Sequence, residues 1–340
     1  MRRFWLFRSN LIPLEYYHQY TDLETFQKKC HDYYMLLPLW LLEKDYFDEV
    51  TIWRLTKKPK DPIIFNVNGK QYIQRWVRNF SQCFDYPSPE ISFWRGGFSE
   101  YDQVTNSQGR HFGLKLYLGA GVRQFPLYGG VYDAFLMEDE RDFKKDKKCI
   151  PFYKTASPYV FHPIKTQPRY DIIWPCNFTQ IKYKGQEFFI KTIAQEPFLQ
   201  TLRIAHCGNK PEVGKKLCKQ YGVKNIEFKG LTERGHMNVF MNESKFGLNL
   251  SNKRDGCPRV STEILMSGTP LILRDSVRLL NFYRKDGQGV INVNDKNLAK
   301  KIKWGLANYE SHKNDVLYAI DNTLSFDSTN EKNIKEWQKI

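Results

Sequence analysis

Residues Phe246–Asp275, FGLNLSNKRDGCPRVSTEILMSGTPLILRD, carry the strongest structural signal in this chain of 340 residues. An apolar strand pattern is followed by a polar loop, a helix pattern, a glycine and a second apolar strand. Pro258 suits the first helical position, where an N–H is not needed, and Gly268 suits the position just beyond the last turn. The stretch therefore predicts a strand–helix–strand unit of a parallel sheet.

The same alternation extends through the second half of the chain and predicts parallel sheets covered by helices on both faces. The further strands are predicted at Asp171–Trp174, Leu202–His206 and Asn225–Phe228, and the further helices at Gln186–Gln195, Glu212–Tyr221 and Met237–Glu243. Ligands of such sheets bind beyond the carboxyl ends of the strands, which is where the glycines of this sequence lie.

The first half of the chain shows the alternation less regularly. We predict that Thr21–Leu42 is mostly helical, and that a hairpin forms about Asn68-Gly69, since Asn-Gly is a strong hairpin signal. The predicted strands are Arg3–Arg8, Glu49–Leu55, Ile63–Val67, Tyr72–Val77, Ile91–Arg95, Leu114–Leu118, Ala134–Met137 and Tyr159–His162. The segment Pro158–Pro168 contains three prolines and is predicted to link two domains.

The composition of the chain restricts the classes of partner and the cellular location that we expect. The chain has 52 Lys and Arg against 37 Asp and Glu, a net charge of +15, and most of the excess lies after residue 160, which indicates an anionic partner for the second half. The apolar run Met35–Leu42 is too short for a membrane helix, which needs about 20 residues. The seven cysteines are scattered without a C-x-x-C pair, so we expect a reducing, cytoplasmic location, and no disulfide framework or zinc site.

Several enzyme classes lose support because their motifs are incomplete. Gly208–Lys216 has the wrong spacing for a P-loop and no Ser or Thr after its lysine. Gly119–Gln124 begins like a dinucleotide fingerprint but has glutamine where the third glycine belongs. No G-x-S-x-G elbow is present. These features argue against a P-loop kinase, an oxidoreductase and a serine hydrolase.

The stretch Phe246–Asp275 also predicts an anion-binding site. Asp255-Gly256-Cys257 leads into the helix, whose first N–H groups and positive dipole end attract an anion, and Lys253, Arg254 and Arg259 add charge. Glu263 lies about 7–8 Å further along the helix at roughly 1.5 Å per residue. A diphosphate on the helix end would leave its ribose near this carboxylate, which can accept hydrogen bonds from both hydroxyls.

An acidic residue, seven residues, then Glu, followed by Gly-Thr-Pro and a strand, resembles the paired-acid motif of retaining family-4 glycosyltransferases of the GT-B fold. Here the pair is Asp255 and Glu263; the family usually has Glu at the first position. Ile172–Gly185 is similar to the family's first donor-domain strand and its loop to a Lys-Gly helix start, with Lys184 and Lys182 as the basic pair. Phe228–Leu231 matches the strand-Gly turn that borders the nucleotide base.

The resemblance implies two Rossmann-like domains that face each other across a cleft, an α/β GT-B architecture. Residues 1–165 would form the acceptor-side domain, residues 166–320 the nucleotide-sugar donor domain, and residues 321–340 a helix that returns to the first domain. The implied activity moves a sugar from a UDP- or GDP-sugar to a glycan, lipid-linked or protein acceptor, with retention and without a metal or other cofactor.

The resemblance also implies the roles of individual residues. Lys184, Asp255 and Glu263 would be catalytic: Lys184 stabilises the leaving diphosphate, Asp255 positions the donor sugar and Glu263 holds the ribose. The residues implied in donor binding are Lys182, Lys184, Gly230, Leu231, Arg254, Gly256, Cys257, Pro258, Arg259, Val260 and Glu263. Those that follow the first domain's strands and could bind acceptor are Arg95, Gly97, Glu100, Gly121 and Arg123, although a salt-bridge or loop-support role remains open for Arg95, Glu100 and Arg123.

Three alternatives stay open on the sequence. A GT-B sugar-nucleotide epimerase would share the cleft and consume donor without acceptor. A nucleic-acid-binding protein would use the net charge directly, although the spread of the charges argues against a nucleic-acid partner. Basic surface could also give peripheral membrane contact near a lipid-linked acceptor, which would modify the enzyme hypothesis and not replace it.

Overall fold

The computed structural model describes residues 1–8, 20, 22–96, 109–119, 131–178, 181–252, 259–285 and 287–340, and for residues 109, 110, 145, 181 and 182 it describes the backbone only. The chain divides into two compact units. Unit 1 comprises Met1–Phe152 together with Asn333–Ile340, and unit 2 comprises Tyr153–Lys332.

Unit 1 is built on an eight-stranded sheet with the order β3-β4-β2-β1-β5-β6-β7-β8. The strands are β1 Arg3–Arg8, β2 Glu49–Leu55, β3 Ile63–Val67, β4 Lys70–Val77, β5 Ile91–Arg95, β6 Leu114–Leu118, β7 Ala134–Met137 and β8 Cys149–Pro151. β3 and β4 pair antiparallel around the predicted Asn68-Gly69 turn, and the other neighbours pair parallel.

The predicted helix over Thr21–Leu42 is two helices, α1 Leu23–Lys29 and α2 Tyr33–Glu43. Asp32 causes the break: it is extended, and its carboxylate accepts a hydrogen bond from the Tyr34 N–H as an N-cap while also pairing with Arg8. Every residue of α2 from Tyr33 to Leu42 is buried, which explains why its sequence is apolar all round.

The opposite face of the same sheet carries an aromatic layer. The rings of Phe7 and Trp94 stack with centroids 3.8 Å apart, and Trp5 meets Trp53 edge to face at 5.2 Å. All four side chains are at most 1% exposed. Alternation along β1 places Trp5 and Phe7 on this face and Leu6 and Arg8 on the α2 side.

Unit 2 is built on a six-stranded sheet with the order β11-β10-β9-β12-β13-β14, and each neighbouring pair is parallel. The strands are β9 Tyr170–Pro175, β10 Ile204–Cys207, β11 Ile226–Gly230, β12 Ser244–Asn249, β13 Leu271–Arg274 and β14 Val290–Val293. Its helices are α3 Ile181–Lys184, α4 Gln186–Gln195, α5 Pro197–Gln200, α6 Pro211–Tyr221, α7 Arg234–Asn242, α8 Arg259–Met266, α9 Leu298–Ala307 and α10 Tyr309–Ala319.

A last helix, α11 Phe326–Trp337, carries the chain from unit 2 into unit 1. Single turns of 3-10 helix lie at Phe80–Asp85, Gly109–Phe112, Glu140–Lys145 and Asn281–Arg284, and a π-helical turn lies at Ile320–Leu324. The alternating pattern predicted for both halves is thus observed as two parallel α/β sheets, with one antiparallel strand pair at the edge of the first.

Two expectations for residues 158–168 differ from the structure. The predicted strand Tyr159–His162 is wrong: these residues form a turn in which the Phe161 N–H donates to the Ser157 carbonyl, and the run is apolar because Phe161 is buried. The proline-rich segment is not a free linker either. The N–H groups of His162 and Ile164 donate to the side chains of Asn238 and Asn242 on α7, which fixes this segment to unit 2.

The return of the chain to unit 1 depends on Trp337. Its side chain is 3% exposed and lies against the rings of Phe4 and Phe93, each with centroids 6.2 Å away. Ile334 is also buried, whereas Ile340, three residues after Trp337, is 49% exposed.

We expect Trp337→Ala to lower the free energy of unfolding of unit 1 by about 3–5 kcal/mol, because it empties a large buried site. Trp304→Ala is the control, since Trp304 is 47% exposed on α9, and it should cost about 1 kcal/mol or less. Urea unfolding followed by aromatic circular dichroism measures both variants. Equal losses would contradict the anchoring role of Trp337.

Candidate functional site

A cavity of about 260 Å³ lies in unit 2 beyond the carboxyl ends of β9, β10, β11 and β12. This is the edge at which parallel α/β sheets bind ligands. The described residues that line it are Trp174, Pro175, Cys176, Asn177, Lys184, Cys207, Gly208, Leu231, Thr232, Arg234, Met237, Leu248, Asn249, Leu250, Ser251, Arg259, Val260 and Glu263.

Two glycines bring the strand ends close enough to form this cavity. A Cβ on Gly208 would lie 1.8 Å from the carbonyl oxygen of Cys176, so only glycine allows the ends of β9 and β10 to meet. Gly185 has φ +71°, and a Cβ there would lie 2.5 Å from the carbonyl oxygen of Leu250. This second contact places α3, which ends at Lys184, against the end of β12.

Cys176 lines the cavity, and it forms a neutral thiol–imidazole pair with His206 behind it. His206 is fully buried among aromatic rings, and its Nε2 lies 3.5 Å from the Sγ of Cys176. Desolvation lowers the pKa of His206 to about 4, and it raises the pKa of the Cys176 thiol well above its usual range. The thiol therefore stays protonated and acts as part of the wall, not as a nucleophile.

Charge in the cavity is unbalanced. Of the described lining residues, Lys184, Arg234 and Arg259 are cationic and Glu263 alone is anionic. Arg259 and Val260 begin α8, an eight-residue helix, so the positive end of its dipole adds to the excess. The cavity is therefore suited to an anionic ligand.

The one carboxylate is held by an ion pair. Nη1 of Arg234 donates to both oxygens of Glu263, at 3.1 and 3.0 Å. Glu263 is 4% exposed, whereas the side chain of Arg234 is 37% exposed. Arg234 begins α7 and Glu263 lies in the middle of α8, so the pair connects two helices at the cavity wall.

Two asparagines add fixed polar groups. The Oδ1 of Asn177 accepts from the Asn209 N–H at 2.8 Å, and the Asn177 carbonyl accepts from the Gln186 side chain at 2.7 Å. The side chain of Asn249 donates to the Ser261 hydroxyl at 2.7 Å. The Oδ1 of Asn177 is thereby engaged, so its amide N–H₂ is the group left to donate to a ligand.

The structure brings five of the predicted donor-binding residues to this cavity, namely Lys184, Leu231, Arg259, Val260 and Glu263. Gly230 lies just behind the wall, where its carbonyl accepts from the Gly208 N–H at 2.8 Å. Arg95 lies in unit 1 at the end of β5, with its guanidinium carbon 4.8 Å from the centre of the Tyr34 ring.

The other predicted residues lie outside the described part of the chain. They are Arg254, Asp255, Gly256, Cys257 and Pro258 in the donor loop, and Gly97, Glu100, Gly121 and Arg123 in the first half. Lys182 has a described backbone in α3 but no described side chain. The roles predicted for all of these residues remain predictions.

Sequence reasoning missed Arg234, Asn177, Thr232 and Asn249. Asn177 and Asn249 end or follow predicted strands, so their positions at the carboxyl edge were available as a signal. Arg234 had no such signal, because an arginine at the start of a polar helix is indistinguishable from a solvated one until Glu263 is seen beside it.

The described residues contain neither a metal-binding cluster nor a membrane-spanning helix. No group of three or more His, Cys, Asp or Glu side chains is arranged to hold a metal ion in this part of the chain. Among the same residues, none of the helices has the length and apolarity needed to cross a bilayer.

The lowered pKa of His206 makes unit 2 sensitive to acid. Below pH 6.5 the unfolded chain binds a proton that the folded chain excludes, so stability present above pH 6.5 is lost as the pH falls towards about 4. We expect the native chain to lose about 2 kcal/mol more unfolding free energy between pH 7 and pH 5 than His206→Phe, which keeps a ring but does not titrate. Denaturant unfolding at both pH values measures this difference, and parallel losses would contradict it.

Comparison with known proteins gives the fold. No protein-family description matches the chain, and no curated protein matches it by sequence. Solved structures that match over 98–100% of both chains include a sucrose-phosphate synthase from Thermosynechococcus elongatus (13% identity, TM-score 0.66), a glycosyltransferase from Rickettsia africae (12%, 0.67) and an alpha,alpha-trehalose-phosphate synthase (UDP-forming) from Burkholderia vietnamiensis (9%, 0.62). These likenesses confirm the predicted α/β GT-B class of fold, with its two parallel-sheet domains.

Proposed function

We propose that this protein is a glycosyltransferase that moves a sugar from a nucleoside-diphosphate sugar to a hydroxyl group of an acceptor. The observation that carries the proposal is the cavity in unit 2, whose described lining combines three cationic side chains with one buried carboxylate at the carboxyl edge of a parallel sheet. The shared fold supports it, because the solved structures of similar fold include a glycosyltransferase and a synthase described as UDP-forming.

The cations have a clear role in such a reaction. Transfer breaks the bond between the anomeric carbon of the sugar and the diphosphate, and negative charge grows on the leaving diphosphate. Lys184 and Arg259 line the cavity, and Lys182 precedes Lys184 by two residues in α3. Positive groups fixed in advance around the diphosphate stabilise this charge in the transition state. We propose that the N–H of Val260 at the start of α8 and those of Gly256 and Cys257 before it add to this stabilisation, and that Pro258, which has no N–H, borders the diphosphate without donating.

The carboxylates orient the donor. We assign Glu263 to the ribose, because a carboxylate can accept from two neighbouring hydroxyls and this one lies one helical turn beyond the start of α8. Asp255 is assigned to the hydroxyls of the transferred sugar, and Gly230 and Leu231 to the border of the base. In the front-face mechanism implied by the family-4 resemblance, the leaving phosphate takes the acceptor proton, and the anomeric configuration is retained.

The acceptor side is assigned to the first domain. Arg95, Gly97, Glu100, Gly121 and Arg123 follow its strands, and we propose that they contact a glycan, lipid-linked or protein acceptor. Peripheral membrane contact would bring the enzyme to a lipid-linked acceptor and belongs to the same proposal. The division into residues 1–165, 166–320 and 321–340 is likewise a proposal about acceptor and donor roles.

Nucleotide binding is the direct test. We expect the native chain to bind UDP or GDP in a calorimetric comparison with ADP and CMP. Lys184→Ala should weaken this binding tenfold or more, because the charged group that contacts the phosphate is lost. Lys191→Ala is the matched control, because Lys191 pairs with Glu187 on the exposed side of α4. If no nucleotide bound, or if both variants bound like the native chain, the proposed site would be wrong.

Metal dependence is a separate test. We propose that the cationic side chains replace a divalent ion at the diphosphate. The rate of donor turnover by a metal-stripped preparation should therefore change by less than about twofold when EDTA is added. Release of nucleotide from UDP-glucose and GDP-mannose, with and without EDTA and with Mg²⁺ restored, measures this. Loss of turnover that Mg²⁺ restores would contradict the metal-free mechanism.

A further inference from the structure

Glu263 raises a physical question that the proposed function leaves open. A carboxylate that is 4% exposed is costly unless it is paired, and it would repel a diphosphate bound in the same cavity. Any residue that compensates this charge also controls whether the carboxylate can bind a sugar. In the described part of the chain, Arg234 provides both hydrogen bonds to the Glu263 carboxylate.

The ion pair fixes the orientation of the Glu263 carboxylate and leaves its oxygens able to accept further hydrogen bonds. Nη1 of Arg234 lies 3.1 Å from Oε1 and 3.0 Å from Oε2, so it bridges the two oxygens. Each carboxylate oxygen has about two acceptor positions, so one on each oxygen remains open. Two acceptor positions on one carboxylate, one on each oxygen, can take hydrogen bonds from the two neighbouring hydroxyls of a ribose.

The helices explain why Arg234 can do this. Arg234 is the first residue of α7, directly after the loop that carries Leu231 and Thr232 along the cavity wall. Glu263 lies one turn into α8, and α7 and α8 contact each other. The guanidinium therefore reaches Glu263 from the cavity side, which agrees with its 37% side-chain exposure.

We propose that Arg234 is the positioning residue for ribose recognition: it aims the Glu263 carboxylate at the 2′- and 3′-hydroxyls of the nucleotide and offsets its charge. This rests on the proposed function, and it gives Arg234 a role that neither the motif spacing nor the likeness to known structures assigns. The structural alternative is that the pair only joins α7 to α8. The two roles differ in what they do to nucleotides that lack the hydroxyls.

The experiment uses the full chain and compares UDP with 2′,3′-dideoxy-UDP, and GDP with 2′,3′-dideoxy-GDP, by calorimetry. The measured quantity is the ratio of the two dissociation constants within each pair. Any contribution of Arg234 to diphosphate binding changes the dissociation constants of the nucleotide and of its dideoxy form by the same factor, so it cancels in this ratio. For the native chain we expect the nucleotide that binds to lose at least tenfold in affinity when both hydroxyls are removed.

Arg234→Ala should lower this ratio to below about threefold, because the carboxylate is no longer aimed, and Arg234→Lys should restore part of it. Glu263→Gln should lower the ratio similarly, and combining it with Arg234→Ala should add little. Arg169→Ala is the matched control: Arg169 pairs with Glu243 at 3.4 Å in the same unit but outside the cavity, and its loss should leave the ratio unchanged.

The outcomes separate the two proposals. If the native chain bound none of these nucleotides, the proposed function would fail and the role of Arg234 with it. If the native chain bound UDP or GDP with a large ratio and Arg234→Ala kept that ratio, only the role of Arg234 would be wrong. If Arg234→Ala did not fold, Arg234→Lys would decide between the two roles. A ratio equal to the native one, with weaker binding of both UDP or GDP and its dideoxy form, would contradict positioning. A ratio below the native one would support it.

Discussion

The contact between Gly208 and the Cys176 carbonyl is the constraint on which the cavity depends. A Cβ at position 208 would lie only 1.8 Å from that oxygen, so no other residue lets the ends of β9 and β10 come together. The hydrogen bond from the Gly208 N–H to the Gly230 carbonyl then fixes β11 beside them. Gly185 does the same between α3 and the end of β12. Steric contacts of backbone atoms thus bring Lys184 and Glu263, 79 positions apart in the numbering of the chain, to one cavity.

Electrostatics then determines what this cavity can bind. The second half of the chain has most of the net charge of +15, but charge spread over a surface only attracts anions weakly through water. At the cavity the charge is concentrated where solvent is partly excluded, and the Arg234 guanidinium forms an ion pair with the Glu263 carboxylate. The neutral His206 and the protonated Cys176 beneath add no opposing charge. In the proposed function, the same few side chains give both the attraction for a diphosphate and a polar group for a sugar.

The parts of this arrangement that follow from local pattern could be predicted from the sequence. Most strands, the hairpin at Asn68-Gly69 and the position of Glu263 follow from residue spacing along one segment. Interactions between distant segments could not be predicted in this way. The turn at Tyr159–His162 has the apolar composition of a strand because Phe161 is buried. Arg234 becomes distinctive only when folding places it against Glu263.

Every described residue of the cavity belongs to unit 2, so under the proposed function nucleotide recognition can be tested separately from acceptor chemistry. Contacts to the ribose and the base are made equally before and during sugar transfer, so they lower the substrate concentration needed without raising the maximal rate. Contacts to the diphosphate strengthen as its charge grows, so they raise the rate. Lys184 and Arg259 are thus expected to act mainly on turnover, and the Arg234–Glu263 pair mainly on affinity. This division follows from where each side chain lies along the bound donor, and it does not depend on which sugar is transferred.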